Sequence, residues 1–427
     1  MSTQRRFLIV FSIGLVLTSI GIFFRLPEFV ALSLPPFLYS GALLVSHILL
    51  GGTRISVRCS VKPDCVTEGE EFEMALSFVQ RGPTSAIVGV GAHVPDRIEW
   101  VEGDTSFLGY LRAEEIKSIF CTVRAKRGEH QLSDIRTTLW SRHGLAMRES
   151  KAHCALQIRS LPRVSRLNPI PIRPRRTRAF AGPIRANLGG TGIDFFGARA
   201  YNPGDDPRRI NWRAYALREE LIITEFEQER ITDVNLILDA RAGVHTPIGG
   251  TSTFEYAARA TASLAAHFLD QGNNVGLLIY GDYLNWICPS LGRIQRERIL
   301  DALSQAEIAD KTAFEDLRQI PTRLFPPRSQ LVLISALYDE KDVETLALLC
   351  ARGYSLLLLC PDSLSLEQTA LPTGPTVELA HRLLRLERTV FLESLAKIGV
   401  RVVDWALDRS LDEAMEQARQ RPGGRPR

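Results

Sequence analysis

The chain has few cysteines for its 427 residues, and its seven include no Cys-x-x-Cys pair and no spacing that sets two thiolates beside two histidines, which excludes the common zinc frameworks. Gly-x-Ser-x-Gly and His-Glu-x-x-His are both absent, and no cysteine has an evident histidine partner, so the usual hydrolase and metalloprotease signatures are missing. Gly189-Gly-Thr-Gly192 is glycine-rich but lacks the lysine and the strand context of a phosphate loop. The excess of one charge sign over the other is small too. A formal net charge of +4 is a small surplus concentrated in a few places, which argues against a nucleic-acid partner. Cys59, Cys65, Cys121, Cys154, Cys288, Cys350 and Cys360 read as reduced, mostly buried thiols, and this suits a cytoplasmic compartment.

What the sequence does contain is two long hydrophobic runs. Residues 7–24 are eighteen without a charge and residues 29–50 are twenty-two, each close to the ~20 needed to span hydrocarbon. Only Arg25-Leu-Pro-Glu28 separates them, which forces an antiparallel helical hairpin with both ends on one side. A cleaved signal peptide fits less well, because the first run exceeds an ordinary signal core and a second span follows at once. Arg5 and Arg6 precede the first run, while Arg54, Arg58 and Lys62 follow the second. By the positive-inside rule both ends, and the soluble domains, are expected in the cytoplasm, beneath a multi-pass inner-membrane anchor. Pro35 and Pro36 are expected to kink the second helix, and His47 to snorkel at the interface.

The length after the anchor predicts two soluble domains. The expected organisation is a transmembrane hairpin (1–54), an all-β sandwich-like domain (55–165), a basic linker with a signature segment (166–232), an α/β Rossmann-like domain with a mostly parallel sheet (233–410), and a C-terminal helix with a basic tail (411–427). Short alternating stretches such as Phe72-Glu-Met-Ala-Leu-Ser-Phe78, divided by turn signals, predict seven or eight strands in the β domain. His93, His130, His143 and His153 read there as surface or strand-edge residues. The proline-interrupted basic run Ile172-Arg-Pro-Arg-Arg-Thr-Arg178 reads as a solvated linker or a contact with anionic membrane lipid. From Asp233 onward strand alternates with helix, beginning with Val234-Asn-Leu-Ile-Leu238 and a helix over 252–271 that opens on a capping box of Ser252 and Glu255. An antiparallel edge strand is expected at 284–288.

The most informative segment contains Gly192, Asp194, Arg199, Tyr201, Pro203, Gly204, Asp205, Asp206, Arg208, Ile210, Trp212 and Arg218. Pro203-Gly204 makes a tight turn, and Asp205 or Asp206 can cap a helix beginning at Pro207. Arg199 and Arg208 are placed to pair with carboxylates. Caps and ion pairs account for every residue type, and the functional alternative is an interaction surface.

This segment resembles the signature of the domain of unknown function fifty-eight family: Gly-x-Asp, then Arg-x-Tyr-x-Pro-Gly-Asp-Asp-x-Arg-x-Ile-Asp-Trp, then Ala-Arg. With the hairpin, the β domain and the α/β domain, the resemblance extends over nearly the whole chain. Asn211 stands where aspartate is usual and Leu217 where arginine is usual, with Arg218 able to substitute. The resemblance implies a domain similar to von Willebrand factor A, whose metal site begins Asp-x-Ser-x-Ser. Here the corresponding positions are Asp239, Arg241, Gly243, Thr312 and Ala336. A guanidinium at Arg241 repels a divalent cation and can pair with Asp239, so the site reads as degenerate, with no metal or other cofactor expected.

The expectation is a non-enzymatic, membrane-tethered scaffold. The resemblance implies a MoxR-type AAA+ ATPase as partner, in assembly or maintenance of envelope or other protein complexes. The rival is an enzyme or accessory subunit of a transglutaminase-like protease system of the envelope. Metal-dependent adhesion is a third reading, whose mark would have been ligands at Arg241, Gly243 and Ala336.

Overall fold

A computed structural model describes residues 3–63, 65–82, 85–92, 97–168, 178–218, 220–231, 233–248, 251–309, 317–327, 329–337, 340–364, 367 and 374–420. The chain divides into two compact units, Met1–Leu161 and Pro162–Arg427.

The first unit opens with α1 (Thr3–Phe23) and α2 (Pro27–Gly51). Both are long and apolar enough to cross a membrane, with mean hydropathies of 2.1 and 1.6 over 18-residue stretches, and this suggests membrane association. The two helices approach closely at Gly21, where a Cβ would lie 2.7 Å from Val30 Cγ2. Small residues at such crossings let helix backbones pack without the help of water. Pro35 and Pro36 lie inside α2, which continues through them, and Ser33 and Ser40 donate to the carbonyls of Val30 and Pro36 at 2.7 and 2.8 Å.

The rest of the unit is β structure. One sheet has the order β1 (Arg54–Lys62), β3 (Glu71–Arg81), β7 (Ile116–Ala125), β5 (Ile98–Gly103). The other has β2 (Cys65–Thr67), β9 (Met147–Leu161), β8 (Gly128–Ser141), β4 (Ala86–Ala92), β6 (Ser106–Leu111). Alternation aims every second side chain at the core. Phe72, Met74, Leu76 and Phe78 of β3 thus meet Val88 and Val90 of β4 and Ile135 and Leu139 of β8 in one cluster.

One expectation fails in this unit, and another is narrowed. Cys59 on β1 and Cys154 on β9 form a disulfide with a Cα–Cα distance of 6.2 Å, so these two are not reduced thiols. They are 95 residues apart and on different sheets, and only the packing of sheet on sheet brings them together. Of the free cysteines along the chain, Cys121 and Cys360 are buried, whereas Cys65 and Cys288 are exposed. His130 is buried rather than at the surface, with Nε2 2.7 Å from the Lys126 carbonyl oxygen. His143 and His153 are exposed, and His93 lies outside the described residues.

The β5–β7 pairing is interrupted by a bulge between Trp100 and Glu102 and ends at Gly103, where φ is +99°. A Cβ at Gly103 would sit 2.6 Å from the Phe120 carbonyl oxygen. Gly103→Ala therefore combines a left-handed backbone with a backbone clash and is expected to cost about 2–4 kcal/mol. Chemical denaturation of the full chain in detergent measures this, and an unchanged midpoint would show the position to be unconstrained.

In the second unit β10 (Arg178–Ala200) pairs antiparallel with β11 (Ile222–Ile231) through several register shifts. The expected linker is thus partly a strand pair, and its five glycines and Pro183 are what hide any period-two pattern from the sequence. All of the basic run but Arg178 lies outside the described residues. Between the two strands stands α3 (Trp212–Arg218).

The main sheet has six strands. Its members are β12 (Asp233–Asp239), β15 (Asn274–Tyr280), β16 (Leu284–Ser290), β17 (Gln330–Ile334), β18 (Ser355–Asp362) and β19 (Arg401–Ala406), and a short hairpin of β13 (Pro247–Ile248) and β14 (Thr251–Ser252) follows β12. The order is β16-β15-β12-β17-β18-β19, parallel except for β16 at the edge.

Near-continuous apolar runs suit strands covered on both faces. Val234, Leu236 and Leu238 face the cluster built with α4 (Thr253–Asp270), α5 (Arg293–Gln305) and α8 (Leu411–Gln420), whereas Ile237, Leu278 and Tyr280 face the cluster containing α6 (Glu340–Ala351) and α7 (Pro375–Lys397). The capping box at α4 is not formed as expected. Ser252 occupies the N-cap position but its side chain makes no capping hydrogen bond. At α8 the Ser410 hydroxyl does accept from the Glu413 amide, at 3.3 Å.

Candidate functional site

A parallel sheet whose strand order reverses about its first strand leaves a crevice at the carboxyl ends of the two central strands. Here those strands are β12 and β17, and the residues at their ends are Asp239 and Ser335. Asp239 is fully buried, and its carboxylate accepts from Arg241 Nε at 2.9 Å, from Arg241 Nη2 at 2.8 Å and from the Ser335 hydroxyl at 2.6 Å. Arg241, 8% exposed, also donates through Nη2 to Asp342 Oδ2 at 2.9 Å. Asp342 arrives from the first turn of α6 and accepts the Leu317 amide at 3.2 Å.

The result is a closed clasp in which one guanidinium neutralises part of the charge of two buried carboxylates. Burial pushes the Asp342 carboxyl above its ordinary value of 3.8, and Arg241 beside it opposes that shift. Although burial opposes it, the two carboxylates raise the Arg241 guanidinium further above its ordinary range, so it remains a fixed cation.

His245 supports the clasp from the turn after β12. Its Nε2 lies 2.6 Å from the Asp239 carbonyl oxygen, which can only accept, so the proton sits on Nε2. Nδ1 then accepts from the Thr253 hydroxyl at 3.2 Å, and that oxygen accepts the Thr246 amide at 3.0 Å. Burial pushes His245 below its ordinary 6.5, with Asp239 pulling the other way. Below pH 6.5 the unfolded chain takes up a proton that folded His245 refuses. Stability is therefore full above that pH and falls as the pH falls, and His130 and His267 act in the same direction. Thermal unfolding should show a midpoint that drops between about pH 7.5 and about pH 5.5, less steeply in His245→Gln. A midpoint that rises on acidification would contradict the assignment.

The second group of residues is the signature loop. Arg199 grips Asp205 through two bonds of 2.7 and 2.8 Å, and Asp205 also accepts the Asn202 amide at 2.8 Å. The Arg199 guanidinium holds the Asp205 carboxyl down at about 2. Gly204, with φ +110°, makes the turn between them. Asp206 caps the single 3-10 turn Pro207–Arg209 by accepting the Arg208 amide at 3.0 Å. Ile210 bridges to Ile223 of β11, and the Tyr201 amide donates to the Leu221 carbonyl at 2.9 Å.

Asn211 accepts the Ala214 amide at 3.1 Å and so caps α3. Asparagine caps as well as aspartate. Beside exposed Asp206, Arg208 and Arg213, this segment presents four large apolar side chains outward. Trp212 is 62% exposed, Tyr215 42%, Leu217 80% and Leu221 40%, with the first two rings edge to face at 6.2 Å.

The structure thus brings Arg199 at the end of β10, Tyr201, Pro203, Gly204, Asp205, Asp206, Arg208 and Ile210 of the loop, and Trp212 at the start of α3 into one segment. Both acids are engaged there. Arg208 is exposed and forms no ion pair among the described residues. Gly192 and Asp194 lie on β10, and Arg218 ends α3. Of the second set, Asp239 and Arg241 form the clasp, while Gly243 is exposed in the turn after it and Ala336 is buried just beyond β17. Thr312 lies outside the described residues. Sequence reasoning missed Asp342 and His245, since only the fold carries them to Asp239. The signal available for Asp342 was an acid in the first turn of the helix following a central strand.

Among curated proteins no match is found. Three of the similar solved structures have low scores. Native alpha-2-macroglobulin from Escherichia coli is 14% identical over 26% of this chain with a TM-score of 0.21, and this chain covers 17% of that one. The FixG-related protein from Vibrio parahaemolyticus is 9% identical over 26% of this chain and 96% of its own, with a TM-score of 0.17. A non-cellulosomal cohesin from Archaeoglobus fulgidus is 9% identical over 24% of this chain and 91% of its own, also with a TM-score of 0.17. A family match is narrower than the sequence resemblance, leaving out the hairpin, the β-rich unit, Gly192 and Asp194. Residues 197–365, which hold the signature loop and the Asp239–Arg241–Asp342 clasp, match the family described as Protein of unknown function DUF58.

Proposed function

We propose that this chain is a membrane-tethered adaptor without catalytic activity, built on a von Willebrand factor A-like domain that binds a partner protein and not a metal. The observation that carries the reading is the Arg241 clasp. The position where a domain of that kind would place its cation is filled by the chain's own guanidinium, bonded at 2.8 and 2.9 Å to carboxylates that are 0% and 2% exposed. The strand order, with one antiparallel edge, is consistent with such a domain. Exposed Trp212, Tyr215 and Leu217 on α3, with Leu221 after it, supply an apolar surface for a partner. Family resemblance points to a MoxR-type AAA+ ATPase as that partner, in assembly or maintenance of envelope or other protein complexes.

Co-purification tests this. Full-length chain in detergent should retain an AAA+ ATPase and alter its ATP turnover while turning over no peptide substrate alone. Peptide cleavage by the purified chain without the ATPase would favour the protease alternative.

Basic residues flanking the outer ends of both apolar helices support a cytoplasmic face for the adaptor. The Cys59–Cys154 disulfide counts against that side, since such bonds persist mainly in oxidising compartments. A reporter active only in the cytoplasm, fused after Arg427, should be active. Activity from a periplasm-specific reporter there would reverse the topology.

A further inference from the structure

Helix α7 is only partly used by its own unit. Its buried residues, Arg388, Leu392 and Leu395, all fall in its second half. Arg388 fixes the helix by donating to Asp404 Oδ1 at 2.7 Å and to the Cys360 carbonyl at 3.1 Å. At 100° per residue the opposite face carries Leu379, Leu383, Leu386 and Val390, within an arc of about 60°. These are 69%, 56%, 63% and 61% exposed. An ordinary surface helix has one apolar face, and α7 has a second that the described residues leave largely open.

The spacing of that second face is four, three, four, which is the seam of a coiled coil. Leu379 and Leu386 fall at d, Leu383 and Val390 at a, a mixture compatible with two strands. The flanking positions are informative about the occupant. Arg382 falls at g and Glu387 at e, five residues on, and this is the pair that meets between parallel helices of identical sequence. Arg382 now contacts Glu378 on its own helix, and both side chains are mostly exposed, so the contact is easily exchanged.

We propose that two copies of this chain pair through parallel α7 helices, with Leu379, Leu383, Leu386 and Val390 meeting their counterparts and Arg382 of each copy bonding Glu387 of the other. The symmetry is two-fold, with the same patch used on both copies. Two heptads are too few to hold isolated peptides together. Here the helix is already formed, and a shared membrane anchor would raise the effective concentration of one copy for the other.

The test is thiol cross-linking of the full-length chain in its membrane, with wild type as the background for native cysteines. Leu379→Cys and Leu386→Cys should each give a covalent dimer, and Arg385→Cys, on a flank away from the seam, should not. Adding Leu383→Glu to Leu379→Cys should lower the yield about tenfold or more, because a charge then enters the seam. Arg382→Glu in the Leu379→Cys background should lower it as well, and the double variant Arg382→Glu/Glu387→Arg should restore it. The proposal is overturned if Leu379→Cys gives no more dimer than Arg385→Cys. It is equally overturned if Leu379→Cys links only to Val390→Cys, which is the antiparallel arrangement, or if the charge exchange fails to restore the yield.

Discussion

Arg241→Ser is expected to destabilise the second unit by about 3–5 kcal/mol, the cost typical of removing one member of a buried ion cluster. Asp239 and Asp342 would be left facing each other with 0% and 2% exposure and no cation between them. The loss is a penalty for stranded charge and does not measure what the clasp contributes, so Arg241→Leu combined with Asp342→Leu should lose markedly less. The serine variant also opens a gap lined by the oxygens of Asp239, Ser335, Asp342 and the introduced hydroxyl, a donor set suited to a hard cation. About 10 mM magnesium or calcium should therefore raise its thermal midpoint, as mass action requires of any ligand that binds only the folded state. Wild type should show no such gain. If wild type is stabilised and the variant is not, the guanidinium does not occupy the cation position.

Trp212→Ala should weaken partner binding by about 30-fold or more while changing stability by less than about 1 kcal/mol. The separation of the two effects follows from exposure. At 62% exposed, Trp212 belongs to no core and is not a buried brace of the fold, so its ring is available to dock. Leu217, at 80%, extends the same apolar surface. Arg208→Ala and Asp206→Ala are useful companions. The first removes an exposed cation, and the second removes a cap worth about 1 kcal/mol. Affinity for the proposed ATPase partner by surface immobilisation, set beside melting curves, reads both quantities. Normal affinity in both Trp212→Ala and Arg208→Ala, or unfolding of both, would end the interaction-surface reading.

Much of the chain is legible in its sequence because the signals are local. Two uncharged runs of about the right length to span hydrocarbon need nothing beyond their own composition. Apolar runs such as Leu331 to Ile334 declare strands buried on both faces, and the pairing of Arg241 with Asp239 is foreseeable from residues two apart. The turn at Pro203-Gly204 and the cap at Asp206 follow from the same short-range chemistry.

What the tertiary structure decided is what depends on distant partners. Asp342 joins Arg241 across 101 positions only because α6 follows the strand beside β12. Cys59 meets Cys154 only because two sheets stack, and no count of cysteines could have paired them. The exposure of Trp212 and of the α7 seam was hidden for a related reason. A sequence states which residues are apolar, but whether each is covered depends on packing by elements far along the chain, and here packing left these faces open.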